Sequence, residues 1–335
     1  KPKIDLDPGT GVIFRPHEWQ VSDADKTSAD PVVLEYGGTP SDRSVREAMQ
    51  DIKGRGLRAM FYPFILMDVA GYPWRGRITG NATSFAGTVA WNDFSQWDGT
   101  EIPYSGPNEW SHKRMIYHYA WLLKDILTAG DAFLVGTEMV GLSTSDANWG
   151  TILAGIMADV RSILPSGVLV SYAGDWSEYK ESSLTPAWNS ADFIGIDNYM
   201  PLTDWRNDGD EVYTIDALKA GVEGGEYWDY YYADLAGRLA NNKLPITDPQ
   251  FRQKDIRYWR DNNHSGKAVW FTEFGCPAVN RGTNQPNVFY DPKSDESAFP
   301  YFSDGRRDDY IQMQYLRAYF SHFGDVANNP SSTLY

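Results

Sequence analysis

The sequence predicts an α/β chain whose strands and helices alternate in the order of a (β/α)8 TIM barrel. Three observations carry this reading. Apolar runs too continuous for half-exposed strands alternate with segments of helical spacing, as buried parallel strands and their crossover helices do. Clusters of Gly, Pro, Asn and Asp punctuate those runs. Polar and aromatic residues gather where the runs end, the side on which parallel barrels carry their chemistry. At 335 residues, 42% of them hydrophobic, the chain is long enough for one large barrel or two smaller domains, with ample material for a core.

Residues 1–30 are rich in Asp, Pro, Gly and Ser without a sustained period, and read as an irregular lead-in with one short strand at Val12–Phe14. A strand at Pro31–Gly38 follows. Val45, Met49 and Ile52 then recur at helical spacing, with Ser44 and Glu47 as a capping box and Gly54 and Gly56 as the stop. The run Gly56–Asp68 predicts a strand buried on both faces, and the Gly-, Pro- and Trp-rich stretch Val69–Asn108 a long strand-to-helix loop. Trp110–Thr128 returns to helical spacing through Ile116, Tyr119, Leu123 and Ile126. Next come a strand at Ala132–Glu138, a helix at Trp149–Leu164, and strands at Gly167–Tyr179 and Ala191–Leu202. A Tyr- and Gly-rich excursion, Met200–Gly266, includes a helical piece at Ile256–Asn262; a strand at Ala268–Phe274 and an amphipathic helix at Arg307–Phe323 close the pattern.

Six strands fall short of the eight a closed barrel needs. The economical account is a barrel incomplete at its first and last strands, the first lying upstream of Lys1 and the last weak or cut away, with residues 31–323 as the barrel domain and 324–335 as a tail. A doubly wound open sheet also fits six strands. Its phosphate turn, however, is not matched: GGTPSD is not G-x-G-x-x-G.

A net charge of −15 and a pI near 4.7 argue against nucleic-acid phosphates or anionic membranes as partners. Thirteen Trp and 21 Tyr suit sugar faces, and equally suit a core. The single cysteine, Cys276, follows an apolar strand and reads as a packing residue. No run approaches a membrane span, and no signal-peptide pattern opens the chain. No cofactor or metal is expected: His17, His112, His118, His264 and His322 form no ligand pattern and no EF-hand loop occurs, while the missing G-x-S-x-G leaves a serine hydrolase without its nucleophile elbow.

The strand ends, read in order, present Tyr62 and Asp68, Glu138, Asp175 with Trp176, Asp197 with Asn198 and Tyr199, and Glu273. Glu138 and Glu273 each interrupt a buried pattern. An unpaired buried carboxylate costs several kcal/mol, so each is either salt-bridged or functional. Two carboxylates facing one scissile bond are what a retaining glycosidase uses. Trp74, Arg75 and Arg77, in YPWRGR, read as a substrate-facing patch or as surface ion pairing. Trp176 reads as a sugar platform or as packing, and Asp175, Asn198 and Tyr62 stand with it as candidate substrate contacts.

FLVGTEM and VWFTEFG resemble the fourth and seventh strand ends of clan A glycoside hydrolases. That resemblance implies Glu138 as acid/base, Glu273 as nucleophile, and Tyr199 as the phenol that bonds the nucleophile. Thr137 departs from the Asn the clan often carries before its acid/base. More broadly, PWRGRITG, FLVGTEM, YAGDWSEY, DFIGIDNYMPLTDWR, WFTEFGCPAVNRGTNQPNVFYDPKS and SDGRRDDYIQ resemble the TIM-barrel-like domain of the large tail-tip "megatron" proteins of gene transfer agents and siphophage-like tails, from about Tyr36 to Phe320. The resemblance implies a hydrolase-like barrel within a longer baseplate hub or host-specificity protein. Its partners would be bacterial envelope polysaccharide or peptidoglycan and other tail or baseplate proteins. It would be made in the bacterial cytoplasm and act from a tail tip at the host surface or periplasm. The implied activity is retaining glycoside hydrolysis; silent glycan binding and a purely architectural role are the alternatives.

Overall fold

A computed structural model describes residues 4–7, 11–14, 42–65, 67, 74–92, 111–178, 181–203, 205, 211, 213–224, 230–231, 236, 240, 242, 244–245, 266–290 and 297–329. The strand expected at Pro31–Gly38, the helical piece at Ile256–Asn262 and Asp68 lie outside the described residues. Two compact units divide the chain, Lys1–Gly195 and Ile196–Tyr335. Parallel strands alternate with helices along it, the arrangement of an incomplete (β/α)8 TIM-type barrel.

The first unit opens with an antiparallel hairpin, β1 (Ile4–Asp7) on β2 (Gly11–Phe14). Helix α1 (Asp42–Gly54) turns Val45 and Met49 inward and begins two residues before the expected capping box. Ser44 and Glu47 therefore lie inside the helix, where Glu47 accepts from Arg43 Nε at 2.8 Å. Asp42, buried at the first turn, bonds His118 Nε2 at 2.8 Å instead.

The ladder runs β3 (Met60–Phe61), β4 (Ala132–Thr137), β5 (Leu169–Asp175) and β6 (Ile194–Asn198). β3 and β4 pair parallel through Met60–Ala132 and Phe61–Phe133, and β4 pairs parallel with β5. All six β4 residues are buried, as a central parallel strand requires. Among the described residues of the strand expected at Gly56–Asp68, only Met60 and Phe61 are laddered. Pro63 has no amide hydrogen to donate, which ends the pairing just beyond Phe61.

Short helices α2 (Ala82–Ala86), α4 (Val140–Ser145) and α6 (Thr185–Ser190), and the longer α3 (His112–Leu123) and α5 (Trp149–Ile163), fill the connections. Asn81 and Ser111 cap α2 and α3 through the amides of Ser84 and Arg114. Leu153, Ile156, Met157 and Val160 of α5 are fully buried, and burying side chains of this kind contributes about 1.5–3 kcal/mol each.

Strand ends come earlier than the apolar runs imply, because side chains capture the next amides. Asp175 Oδ1 accepts from Ser177 N at 2.9 Å after β5, and Asn198 Oδ1 accepts from Met200 N at 3.1 Å after β6. Each is a turn built by an Asx side chain.

In the second unit β6, whose C-terminal part lies there, neighbours β9 (Val269–Phe274). A two-residue antiparallel pair, β7 (Tyr230–Tyr231) and β8 (Leu244–Pro245), precedes β9. Helix α7 (Ile215–Gly224) packs on α8 (Asp309–Phe323), which Asp308 caps through the Ile311 amide. Tyr319 of α8 meets the rings of Phe271 and Phe274 edge-on, at centroid distances of 5.6 and 5.9 Å.

Candidate functional site

In the first unit Glu138 is the residue at which β4 stops. Its φ of +46° places it in the left-handed region, at a cost of about 1–2 kcal/mol for a residue with a side chain. Two amide bonds brace the bend: Glu138 N donates to Ala173 O at 2.9 Å, and Met139 N to the Tyr172 hydroxyl at 2.7 Å.

The Glu138 carboxylate is almost wholly buried and is met by a single-turn 3-10 segment, Arg75–Arg77, with Trp74 before it. Trp74 Nε1 donates to Glu138 Oε2 at 2.7 Å, and Arg75 Nη2 lies 2.9 Å from the same oxygen. Arg75 also donates from Nε to Thr137 O and from Nη2 to Thr137 Oγ1, both at 3.0 Å, while its guanidinium covers the Phe64 ring at 3.8 Å. Tyr62 shares a hydrogen bond with Thr137 Oγ1 at 2.5 Å.

Two glycines allow this turn. A Cβ on Gly76 would overlap the Trp74 ring at 2.3 Å, and one on Gly141 would meet the Ile78 carbonyl oxygen at 2.3 Å. The first lets the indole fold over its own turn, and the second lets α4 press against it.

The expected Trp74–Arg75–Arg77 patch is therefore divided. Arg75 is 1% exposed and committed to Glu138 and Thr137 instead of facing solvent, whereas Arg77 is exposed. Asp175 and the half-buried Trp176 stand at the end of β5. The sequence reading passed over Glu178 and Tyr172. Glu178 is fully buried, accepting from Ser143 Oγ at 2.7 Å, Asp175 N at 2.7 Å and Tyr172 OH at 3.1 Å. Burial, with Asp175 nearby, pushes its carboxyl up to about 8 despite these donors. The one available signal was a charge within the run Gly167–Tyr179, three residues past the end of β5.

In the second unit the Tyr199 hydroxyl donates to Glu273 Oε2 at 2.8 Å. Beside this pair, Thr272 Oγ1 donates to Asp197 Oδ1 at 2.8 Å. Asn198 is fully buried; its Oδ1 serves the Met200 amide, and its Nδ2 has no hydrogen-bond partner among the described residues. An unsatisfied buried donor of this kind costs about 1–3 kcal/mol.

Asn284 ties the loop after β9 to the loop after β6. Its Oδ1 accepts from Thr203 Oγ1 at 2.6 Å and Trp205 N at 3.0 Å, and its Nδ2 donates to Trp205 O at 2.8 Å and Tyr301 O at 2.9 Å. Nothing in the local pattern around Asn284 announces this role. Cys276 is buried, and burial pushes its thiol up to about 12, so it packs as an apolar group.

Thus the structure brings Trp74 and Arg75 onto Glu138, Tyr62 onto the adjoining Thr137, and Tyr199 onto Glu273. The first group supplies a carboxylate with two strong donors; the second supplies a carboxylate oriented by a phenol. Among known families, the model of the gene transfer agent (GTA) TIM-barrel-like domain matches residues 110–268 and 264–335. Comparisons with curated proteins and with solved structures found no match.

Proposed function

We propose, from the premise that this chain belongs to the family of GTA TIM-barrel-like domains, that it is a retaining glycoside hydrolase module of a tail-like particle. Its substrate is bacterial surface or cell-wall glycan. Its place is the tail tip, among other tail or baseplate proteins, acting at the host surface or periplasm. No helix among the described residues is long and apolar enough to cross a membrane.

Glu273 attacks the anomeric carbon through Oε1 while Tyr199 holds Oε2, forming a glycosyl ester as the glycosidic C–O bond breaks. Glu138 gives its proton to the departing oxygen. Glu138 then takes a proton from water, which cleaves the ester and releases the sugar with its configuration retained. Trp74, Trp176, Asp175, Asn198 and Tyr62 are assigned to the sugar's contacts.

The observation that carries this reading is the Tyr199–Glu273 bond, because a phenol donor on Oε2 holds the carboxylate in one orientation, the positioning an attacking group needs. A second reading, glycan recognition without turnover, is favoured by Arg75. Its guanidinium and the Trp74 indole both engage Oε2 of Glu138, so two protein donors already claim the oxygen that would serve the departing group.

The deciding experiment incubates the full chain and its Glu273→Gln variant with purified host envelope glycans and assays new reducing ends. Release by the parent alone supports hydrolysis. Retention of glycan on both proteins without release supports recognition, and equal release from both removes the enzyme assignment.

A further inference from the structure

The Glu178 carboxyl has no part in the hydrolytic steps assigned above, yet it is as deeply buried as any charged group in the first unit. An apolar side chain would fill that space without a carboxyl to desolvate. What the carboxyl does instead is tie two segments together: Ser143 from α4, and the Tyr172 hydroxyl and Asp175 amide from β5.

Tyr172 passes that attachment onward. Its hydroxyl is directed to Glu178 on one side and accepts the Met139 amide at 2.7 Å on the other. The neighbouring β5 residue, Ala173, takes the Glu138 amide through its carbonyl at 2.9 Å. The two amides flanking the left-handed Glu138 are thus both received by consecutive residues of β5. One receiver is a backbone carbonyl fixed by the ladder; the other is a side-chain hydroxyl that stays in place because Glu178 orients it.

We infer that Tyr172 and Glu178 are positioning residues for Glu138, holding the Met139 amide so that the left-handed bend persists and the carboxylate stays on Trp74 and Arg75. The geometry of this brace stands on the first unit alone; its importance for turnover rests on the acid/base role proposed for Glu138.

The test needs no glycan. Trp74 Nε1–H reports on the bond to Glu138 Oε2, and its indole resonance in the 1H–15N spectrum of the full chain is assigned by its loss in Trp74→Phe. Tyr172→Phe is expected to move that resonance upfield as the bond weakens. Glu178→Leu is expected to do the same, and Glu178→Gln, which keeps an oxygen for the Tyr172 hydroxyl, to leave it near its parent position. Tyr117→Phe is the control: it removes another buried hydroxyl of this unit, one bonded to Asp159, and leaves the Trp74 signal unmoved.

An unmoved Trp74 resonance in Tyr172→Phe, with cooperative unfolding intact, overturns the inference. So does an equal movement in Tyr117→Phe. If Glu178→Leu does not fold, Tyr172→Phe decides alone. Where the parent releases reducing ends, Tyr172→Phe lowers kcat with KM little changed; a parent that releases none, with the Trp74 shift present, removes the hydrolase reading and leaves the brace standing.

Discussion

The Tyr199 hydroxyl reaches Glu273 Oε2 at 2.8 Å, a phenol at the end of β6 orienting a carboxylate on β9. Hydrogen bonds to charged groups contribute about 1.5–3 kcal/mol. Tyr199→Phe is accordingly expected to lower kcat on a released glycan by about 10- to 150-fold, each factor of ten being about 1.4 kcal/mol. Thermal unfolding should change little. Steady-state kinetics with an unchanged kcat would remove the phenol from the mechanism.

Arg75 is expected to be indispensable to the fold as well as to the site. Arg75→Met strands the Glu138 carboxylate in a buried position, and breaking a buried pair in this way costs about 3–5 kcal/mol. The double variant Arg75→Met/Glu138→Gln should regain much of that loss, since no uncompensated charge is left. Urea unfolding of the two single variants and the double variant measures the coupling; additive losses would show that the pair does not interact.

The pH dependence of stability should carry two opposing slopes. Glu178 is raised from 4.5 to about 8 by burial, so between those values the fold retains a proton that the unfolded chain gives up. Its contribution is whole below pH 4.5 and is lost as pH rises through 8. His112 is lowered from 6.5 to about 4, again by burial, so its contribution is whole above 6.5 and falls as pH drops toward 4. Each slope approaches about 1.4 kcal/mol per pH unit. Glu178→Gln removes the first, so its stability relative to the parent should rise steadily from about pH 5 to about pH 8 in denaturant titrations. A pH-independent difference would mean that Glu178 is ionised in the fold.

Gly141→Ala should harm the site from the far side of the turn. The added Cβ would meet Ile78 O at 2.3 Å, a backbone atom with no rotamer in which to retreat. Overpacking of this kind costs about 1–3 kcal/mol. Calorimetry should show a lowered Tm, and the Trp74 indole resonance should move with it; an unchanged Tm would show that α4 and the turn yield freely.

Much of this was legible in the sequence, and the exceptions have a common cause. Continuous apolar runs located β4, β5, β6 and β9 because buried parallel strands carry their own composition, and the carboxylates ending β4 and β9 stood out against it. The run Gly56–Asp68 misled: it has the composition of a long strand, but Pro63 ends its pairing after Phe61, and its later aromatics serve Thr137 and Arg75. The sequence offers Arg75 as part of a substrate-facing patch or a surface ion pair, and its buried pairing with Glu138 is not visible there because the two lie 63 residues apart. Glu178 and Asn284 escaped notice for the same reason, since the contacts that give them meaning join segments distant in the chain.

Asn284 has a consequence for inheritance. One side chain joins Thr203, Trp205 and Tyr301, drawn from two separate stretches of sequence. Trp205 and Tyr301 offer only main-chain atoms, whereas Thr203 offers its hydroxyl, so residues 203 and 284 are the two that related chains should change together or not at all. A recombinant that exchanges the loop after β9 should keep its grafted shape when residue 203 travels with it, and misfit its host when that residue is left behind.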